Sequence, residues 1–374
     1  MIVYPLPTSD TKFLYSLNIL SNNEKAHNLV RSYFGRLHKE NELSFIFVSF
    51  INFLNKPMDQ AVENELNPFN LLKSNFSPTS ASNLTSGLNS STSSSSANSS
   101  LPALSSWTPE IVIFLWELIQ CNKNFKNYVY SKKIPELLIT LLYYIKHYKG
   151  FELWKSSLIR IICYFMIYLT SDEIVVAKLL TPINPNYYHN HLPNFYKIST
   201  SNQSNNLTYR DFLIIQICNT LIDDEFDTII TPNFFEYLYN LIPIKELETP
   251  TVHYKTKSIL SYHSSLSIVN VVAKYSTSSV LNNNLKLDLL ALVIRAIAHS
   301  CCRYHKESRT LLYVITKHEQ IFQNLLSVIE SLKLETELDD IQENEHEDDE
   351  ENEESDNRTE SPGTDDTRSQ STVG

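Results

Sequence analysis

The residue types best suited to metal chemistry lie at 299–305, which reads His-Ser-Cys-Cys-Arg-Tyr-His. On a continuous helix, residues three apart share a face, so His299, Cys302 and His305 would converge on one side. Imidazole and thiolate suit zinc, and a cysteine beside a histidine also suits a hydrolase. Zinc sites usually draw ligands from several elements, however, and the charges at 303–306 are typical of a solvated helix end. We therefore predict no metal site, no cofactor and no catalytic residue, and keep a metal- or cysteine-dependent hydrolase as the enzyme alternative.

Two further clusters carry side chains that bind ligands in other proteins. Residues 223–227 read Asp-Asp-Glu-Phe-Asp, and residues 187–191 read Tyr-Tyr-His-Asn-His. The acidic run lacks the glycine turn and the distal glutamate of a calcium loop, so we predict that its carboxylates cap the next helix. The tyrosines of the second run favour a polar loop anchored by aromatic rings over a recognition loop.

Glycine is scarce, and its distribution excludes several catalytic architectures. The chain has five glycines, and none lies between residues 151 and 362. Phosphate-cradling loops, dinucleotide-binding turns and nucleophile elbows all need glycine for positive φ or close backbone approach. The sequence therefore predicts a protein that is not an enzyme and that has no small-molecule substrate.

The net charge of −11 is unevenly distributed along the chain. Residues 335–374 contain 17 acidic and two basic residues, so residues 1–334 contain 25 acidic and 29 basic residues. Lys and Arg are scattered through the sequence without a basic stripe interleaved with aromatics, so we expect no nucleic-acid partner. The acidic tail has two interpretations: a solvated, solubilising end, or a segment that contacts a basic surface and is weakened by salt.

The five cysteines and the first residues indicate a cytoplasmic protein. The cysteine count is odd and has no framework spacing, which is typical of a reducing compartment. The start of the chain lacks the basic and apolar regions of a signal peptide. The most apolar run, 161–171, is 11 residues long, whereas a membrane helix needs about 20. We expect a soluble protein, at most peripheral on a membrane.

The helical pattern is strongest at 107–150, where three helices are predicted almost without connections. Thr108 suits an N-cap, Pro109 and Pro135 suit first turns, and Gly150 suits a helix stop. The apolar run 43–54 resembles a strand in composition, but its length favours a buried helix.

Segment boundaries follow from composition. We predict N-terminal helices over 1–72, a Ser/Asn-rich disordered insertion over 73–106, a main helical array over 107–334 and an acidic disordered tail over 335–374. A linker between two independent domains is the alternative for 73–106. The predicted fold is all-α, an armadillo- or HEAT-like stack of helical hairpins that forms an α-solenoid.

Several stretches, taken in order, resemble one family. The stretches are 32–43 (SYFGRLHKENEL), 52–57 (NFLNKP), 114–125 (FLWELIQCNKNF), 135–144 (PELLITLLYY), 287–295 (LDLLALVIR) and 311–322 (LLYVITKHEQIF). Together they resemble the middle portion of the high-temperature-induced dauer-formation (Hid) proteins, relatives of dymeclin. The family is considerably longer, so we expect a fragment or a shortened product. The Asn/Ser-rich insertion suggests a fungal source.

The resemblance implies a function that the residues alone do not give. It implies a cytosolic, non-catalytic helical-repeat protein, peripheral on Golgi membranes, that acts in vesicle trafficking or secretory sorting through protein partners. Animal members carry a glycine after the initiator methionine for myristoylation, whereas Ile2 stands here. That anchor is therefore not carried over. The alternative binding function is a general armadillo-like adaptor in nuclear transport or ubiquitin pathways.

Overall fold

The structure is a computed structural model that describes residues 29–66, 102, 104–148, 153–198, 207–243, 260–277 and 283–331. The acidic tail predicted at 335–374 lies outside these residues, as does the insertion predicted at 73–106 apart from residues 102 and 104–106. Within the N-terminal segment 1–72, residues 29–66 are described. The segment boundaries remain predictions.

The described residues form helices, with one isolated antiparallel bridge between Pro182 and Thr208. In chain order the α-helices are α1 (Leu29–Gly35), α2 (Glu40–Leu66), α3 (Thr108–Cys121), α4 (Lys123–Lys132), α5 (Ile134–His147), α6 (Leu153–Thr170), α7 (Glu173–Lys178), α8 (Pro185–Asn190), α9 (Tyr209–Asp223), α10 (Ile230–Leu241), α11 (Tyr262–Tyr275), α12 (Asn284–Arg303) and α13 (Arg309–Lys317), followed by α14 over 319–331. A short 3₁₀ turn lies at Asn194–Tyr196. The all-α prediction is confirmed.

Helices pack against neighbours in an order that follows the chain. Helix α2 contacts α3, α4 and α5, and α6 contacts α3, α5 and α10. Further along, α9 contacts α10 and α11, α10 contacts α12, and α11 contacts α12 and α13. This progression is solenoid-like, because each helix buries its apolar face against near neighbours in the sequence.

The three consecutive helices predicted at 107–150 are α3, α4 and α5. Asn122 makes the break between α3 and α4: its side-chain oxygen accepts a hydrogen bond from the Phe125 amide at 2.8 Å, which caps α4. The Asn122 amide also donates to the carbonyls of Phe34 at 2.6 Å and Leu37 at 2.9 Å, which ties α1 to this corner. Thr108 was expected to cap α3, and this was wrong. Its hydroxyl donates to the Ser105 carbonyl, and Trp107 holds the N-cap position without a side-chain hydrogen bond.

The apolar run at 43–54 is helical, as its length predicted, and lies inside α2. Its buried side chains recur at helical spacing, and α2 continues through Pro57, which is itself buried. A single hydrophobic core extends from Leu43 in α2 to Leu325 in α14.

Buried tyrosine hydroxyls predict that the fold is sensitive to alkaline pH. Burial raises the pKa of Tyr148 to about 12, and it also raises the pKa of Tyr143, Tyr144, Tyr196 and Tyr237. An unfolded tyrosine ionises near pH 10 or so, so the unfolded state releases protons that the folded state retains. We expect the free energy of unfolding to fall as pH rises from about 10 towards 12.

Urea denaturation at pH 8, 9, 10 and 11 measures this effect, and tyrosinate absorbance reports ionisation in parallel. The urea midpoint should fall most steeply where tyrosinate appears in the unfolded chain. A midpoint that stays constant from pH 8 to pH 11 would contradict the burial of these hydroxyls.

None of the described helices contains an apolar stretch long enough to cross a bilayer.

Candidate functional site

The metal candidate His299, Cys302 and His305 spans a helix end. Helix α12 stops at Arg303, so His305 lies in the following turn and does not continue the helical register. The His299 ring instead makes an edge contact with Tyr304, with centroids 5.8 Å apart. Within the described ranges, no group of three His, Cys, Asp or Glu side chains is arranged to hold a metal ion.

The absence of a metal remains a prediction with a direct test. We expect elemental analysis of the purified full chain to show less than about 0.1 zinc per chain, since the third ligand has left the helix. The substitution Cys302→Ser should leave both the zinc content and the urea midpoint unchanged. Stoichiometric zinc that is lost in this variant would restore the metal candidate.

The buried thiols are poorly suited to nucleophilic catalysis. Cys163 and Cys218 lie in the core, where burial raises the pKa of the Cys163 thiol to about 12 and raises that of Cys218 further. A raised thiol pKa depletes the reactive thiolate. These cysteines therefore act as small apolar side chains.

The acidic run at 223–227 lies at the junction of α9 and α10. Asp227 accepts hydrogen bonds from the amides of Ile229 at 2.7 Å and Ile230 at 2.8 Å, so one carboxylate of the run bonds to the start of α10, although Ile229 holds the N-cap position. Lys274 of α11 donates to the Leu221 and Ile222 carbonyls, both at 2.8 Å, and so stabilises the C-terminus of α9. Asp223, Asp224, Glu225 and Lys274 line an open cleft of about 480 Å³. Of these charged groups, Lys274 bonds to the end of α9.

The Tyr187–His191 run packs against α2. Tyr187 is buried and stacks on His191, and the His191 ring nitrogen lies 3.2 Å from the Asp59 carboxylate of α2. The Tyr188 hydroxyl accepts a hydrogen bond from the Ile198 amide at 3.0 Å. The predicted loop is wrong, because residues 185–190 form α8, but the anchoring role predicted for the tyrosines is confirmed.

A buried arginine joins α9 to the end of α10, and no feature of the sequence analysis identified it. Arg210 is 1% exposed, and its guanidinium donates to the carbonyls of Leu241, Ile242 and Pro243. These are carbonyls that the end of α10 leaves without helical partners. Burial lowers the pKa of Arg210 to about 10, and the neighbouring Asp211 carboxylate opposes this shift. The guanidinium therefore stays charged at neutral pH.

Asp211, the next residue, fixes the start of α11. It is 2% exposed and accepts hydrogen bonds from the Ser261 amide at 3.0 Å and the Ser264 hydroxyl at 2.5 Å. Thr208, the N-cap of α9, donates to its other oxygen at 2.9 Å. Because Ser261 is the N-cap of α11, this carboxylate sets where α11 begins and therefore where Tyr262 lies.

Tyr262 belongs to an exposed group that we call the basic–aromatic stripe: Tyr262, Arg309, Tyr313 and Lys317. The last three lie four residues apart along α13, so they share its outer face, while Leu311 and Val314 face the core. Tyr262 is 41% exposed and Tyr313 is 59% exposed, and their ring centroids lie 6.4 Å apart. From the sequence we expected no basic stripe interleaved with aromatics, although Arg309, Tyr313 and Lys317 have helical spacing. The contact with Tyr262 depends on the packing of α11 against α13.

Lys317 connects the two helices within the stripe. Its ammonium donates to the Tyr262 hydroxyl at 3.3 Å and lies 5.7 Å from the centre of that ring. The hydrogen bond to Tyr262 raises the pKa of Lys317. Protein interfaces favour exposed tyrosines, because the ring offers a large contact area at low conformational cost. The stripe is therefore suited to binding another polypeptide.

The helices pack in chain order around one core, which defines an all-α, solenoid-like protein. The basic–aromatic stripe lies on its surface. The chain belongs to the Hid1 family, the high-temperature-induced dauer-formation proteins, whose family model matches residues 1–373. The family resemblance seen in the sequence is thereby confirmed.

The chain is also similar to protein ECM30 of Saccharomyces cerevisiae. The two are 28% identical over an alignment of 418 residues, which covers 85% of this chain and 33% of the yeast protein. The chain thus spans about a third of the length of this relative. Neither the family description nor the name of the yeast protein states a catalytic activity. No solved structure shows a significant match.

Proposed function

We propose that this chain is a non-catalytic scaffold in Golgi-linked vesicle trafficking and secretory sorting. Membership of the Hid1 family supports the pathway, and the solenoid-like packing supports the mode of action. In this proposal the chain works in the cytoplasm, peripheral on Golgi membranes, and binds protein partners of the trafficking machinery. In this proposal the helical array predicted over 107–334 holds the binding surface, and the segments predicted at 73–106 and 335–374 are appended to it.

The basic–aromatic stripe is the observation that supports partner binding most strongly. Two helices hold it in place: Asp211 fixes the start of α11, and the core side chains Leu311 and Val314 seat α13. Tyr262 and Tyr313 are thereby ordered before a partner arrives. Side chains that are ordered in advance lose less conformational entropy on binding, which favours affinity.

Affinity purification of the tagged full chain, with quantitative mass spectrometry, tests this function. We expect coat components, tethers or other Golgi trafficking proteins among the enriched partners. Enrichment of karyopherins and their cargo, or of ubiquitin ligases and their substrates, without trafficking proteins would favour the general armadillo-like adaptor and count against the proposal.

A further inference from the structure

We propose that the acidic tail of this chain, residues 335–374, docks on the basic–aromatic stripe and covers it in the free protein. This inference rests on the proposed function, because it assigns a regulatory occupant to the same surface. The occupant is a segment of the chain itself, and the argument depends on charge, reach and the position of the cations.

Positive charge is concentrated around the stripe. Arg309 and Lys317 lie at the two ends of α13, and the exposed side chains of Arg303, at the end of α12, and Lys306, in the following turn, add to them. Two acidic residues, Glu307 and Glu319, lie in the same stretch, so residues 303–319 carry four lysines and arginines against two glutamates. Arg309 also stands in the first turn of α13, where the helix dipole is positive. An anionic segment is therefore attracted to this face, most strongly at the start of α13.

The tail has the complementary composition. Residues 343–356 contain ten acidic residues and no lysine or arginine, the densest run of negative charge in the chain. The same run contains no apolar side chain that could direct the tail to a hydrophobic site instead. Carboxylates would meet Arg309, Lys306 and Lys317, while the Tyr262 and Tyr313 rings would pack against the aliphatic parts of the glutamates.

The connection is long enough for the tail to return to the stripe. Helix α14 spans residues 319–331, which carries the chain about 20 Å from Lys317 at 1.5 Å per residue. Residues 332–342 reach about 36 Å when extended at 3.3 Å per residue. The tail is also tethered, which places its carboxylates near the stripe at an effective concentration of about a millimolar. Ion pairs that are individually weak are then sufficient to populate the state in which the tail covers the stripe.

Docking of this kind controls access to the stripe. A partner must displace the tail, so the apparent affinity of the partner is its intrinsic affinity multiplied by the fraction of chains in which the stripe is open. Salt opens the stripe, because exposed ion pairs are screened over about 8 Å at physiological ionic strength. An anionic partner would compete best, since it meets the same cations.

Zero-length carbodiimide cross-linking of the purified full chain tests the proposal without any partner or membrane. Mass spectrometry should find isopeptide links from Lys317 and Lys306 to the acidic residues 343–356. Their yield should fall by about fivefold or more between 50 mM and 500 mM NaCl, as expected for screened surface pairs. The substitution Arg309→Gln should lower the Lys317 links, whereas Lys123→Gln on the exposed face of α4 should not.

An equal mixture of ¹⁴N- and ¹⁵N-labelled chains separates contacts within one chain from contacts between chains. Links confined to one label support docking within the chain. Mixed-label links would overturn it in favour of a second copy, and links spread equally over Lys123 and the stripe would overturn it as non-specific. Absence of tail links, together with stripe-dependent binding to phosphatidylserine vesicles or to a generic RNA, would identify a different anionic ligand and also overturn it.

Failure of this inference is distinguishable from failure of the proposed function. In a variant whose ten acidic residues at 343–356 are replaced by Gln or Asn, recovery of trafficking partners should rise by about fivefold. Tail links without trafficking partners would contradict the proposed function alone. Trafficking partners whose recovery is unchanged in this variant, with no tail links in the parent chain, would contradict the docking alone.

Discussion

Replacing Asp211 with alanine is expected to lower the free energy of unfolding by about 3–5 kcal/mol, because three donors lose a charged acceptor and hydrogen bonds to charged groups contribute about 1.5–3 kcal/mol each. The carboxylate is almost fully buried and accepts hydrogen bonds from the Ser261 amide, the Ser264 hydroxyl and the Thr208 hydroxyl. Its loss leaves these donors without their acceptor, and the Ser264 hydroxyl among them is fully buried. It also removes the negative charge beside the Arg210 guanidinium.

Two matched variants separate the charge from the hydrogen bonds. Asp211→Asn keeps the shape and one acceptor oxygen, so we expect a smaller loss of about 1.5–3 kcal/mol. Asp288→Ala removes an exposed carboxylate from α12 and should change stability by no more than about 0.5 kcal/mol. Urea denaturation of the three variants and the parent gives the comparison. If Asp211→Ala costs no more than Asp288→Ala, the buried junction does not stabilise the fold as described.

The double substitution Tyr262→Ala and Tyr313→Ala is expected to reduce recovery of trafficking partners by about tenfold or more. Tyrosines at the centre of an interface contribute strongly to affinity, and a tenfold change corresponds to about 1.4 kcal/mol. Tyr262 is 41% exposed and Tyr313 59% exposed, so the double substitution should lower the urea midpoint far less than Asp211→Ala does. The effect is thus on binding and not on folding.

Tyr164→Ala is the matched control for this pair. Tyr164 is a comparably exposed tyrosine, 57% accessible, on α6 and outside the stripe. Its substitution should leave partner recovery unchanged. Equal losses in the control and in the double variant would show that binding does not use the stripe.

Much of the fold could be predicted from the sequence because its helical signals are local. The run at 43–54 carries apolar residues at helical spacing, and Pro109 and Pro135 mark helix starts. The Thr108 cap was predicted wrongly, because its hydroxyl donates to the Ser105 carbonyl. The local sequence does not decide which nearby backbone group a threonine side chain will bond.

The proposed binding surface could be predicted only in part, because it combines residues that are distant in the sequence. The spacing of Arg309, Tyr313 and Lys317 is readable in the sequence, but the contact with Tyr262 requires the packing of α11 against α13. The buried junction did have a local signal. Arg210 and Asp211 are charges at the start of an otherwise apolar helix, and Thr208 three residues before Asp211 has the spacing of a capping box.

The metal candidate shows the opposite error: a local pattern suggested a site that the structure does not assemble. The spacing of His299, Cys302 and His305 places three ligands on one face only if the helix continues, and α12 ends at Arg303. Helix ends are the least certain feature of a sequence pattern, so a constellation that spans one is weak evidence for a site.

Live-cell imaging of the full chain with a C-terminal fluorescent tag, beside a Golgi marker, tests the central claim most directly. The claim is that this Hid1-family chain acts as a scaffold on Golgi membranes. It predicts that the tagged chain is enriched on the marked membranes and that the Tyr262→Ala, Tyr313→Ala variant is less enriched at equal expression. A stably folded chain that remains diffuse, without enrichment at the Golgi marker, would contradict it.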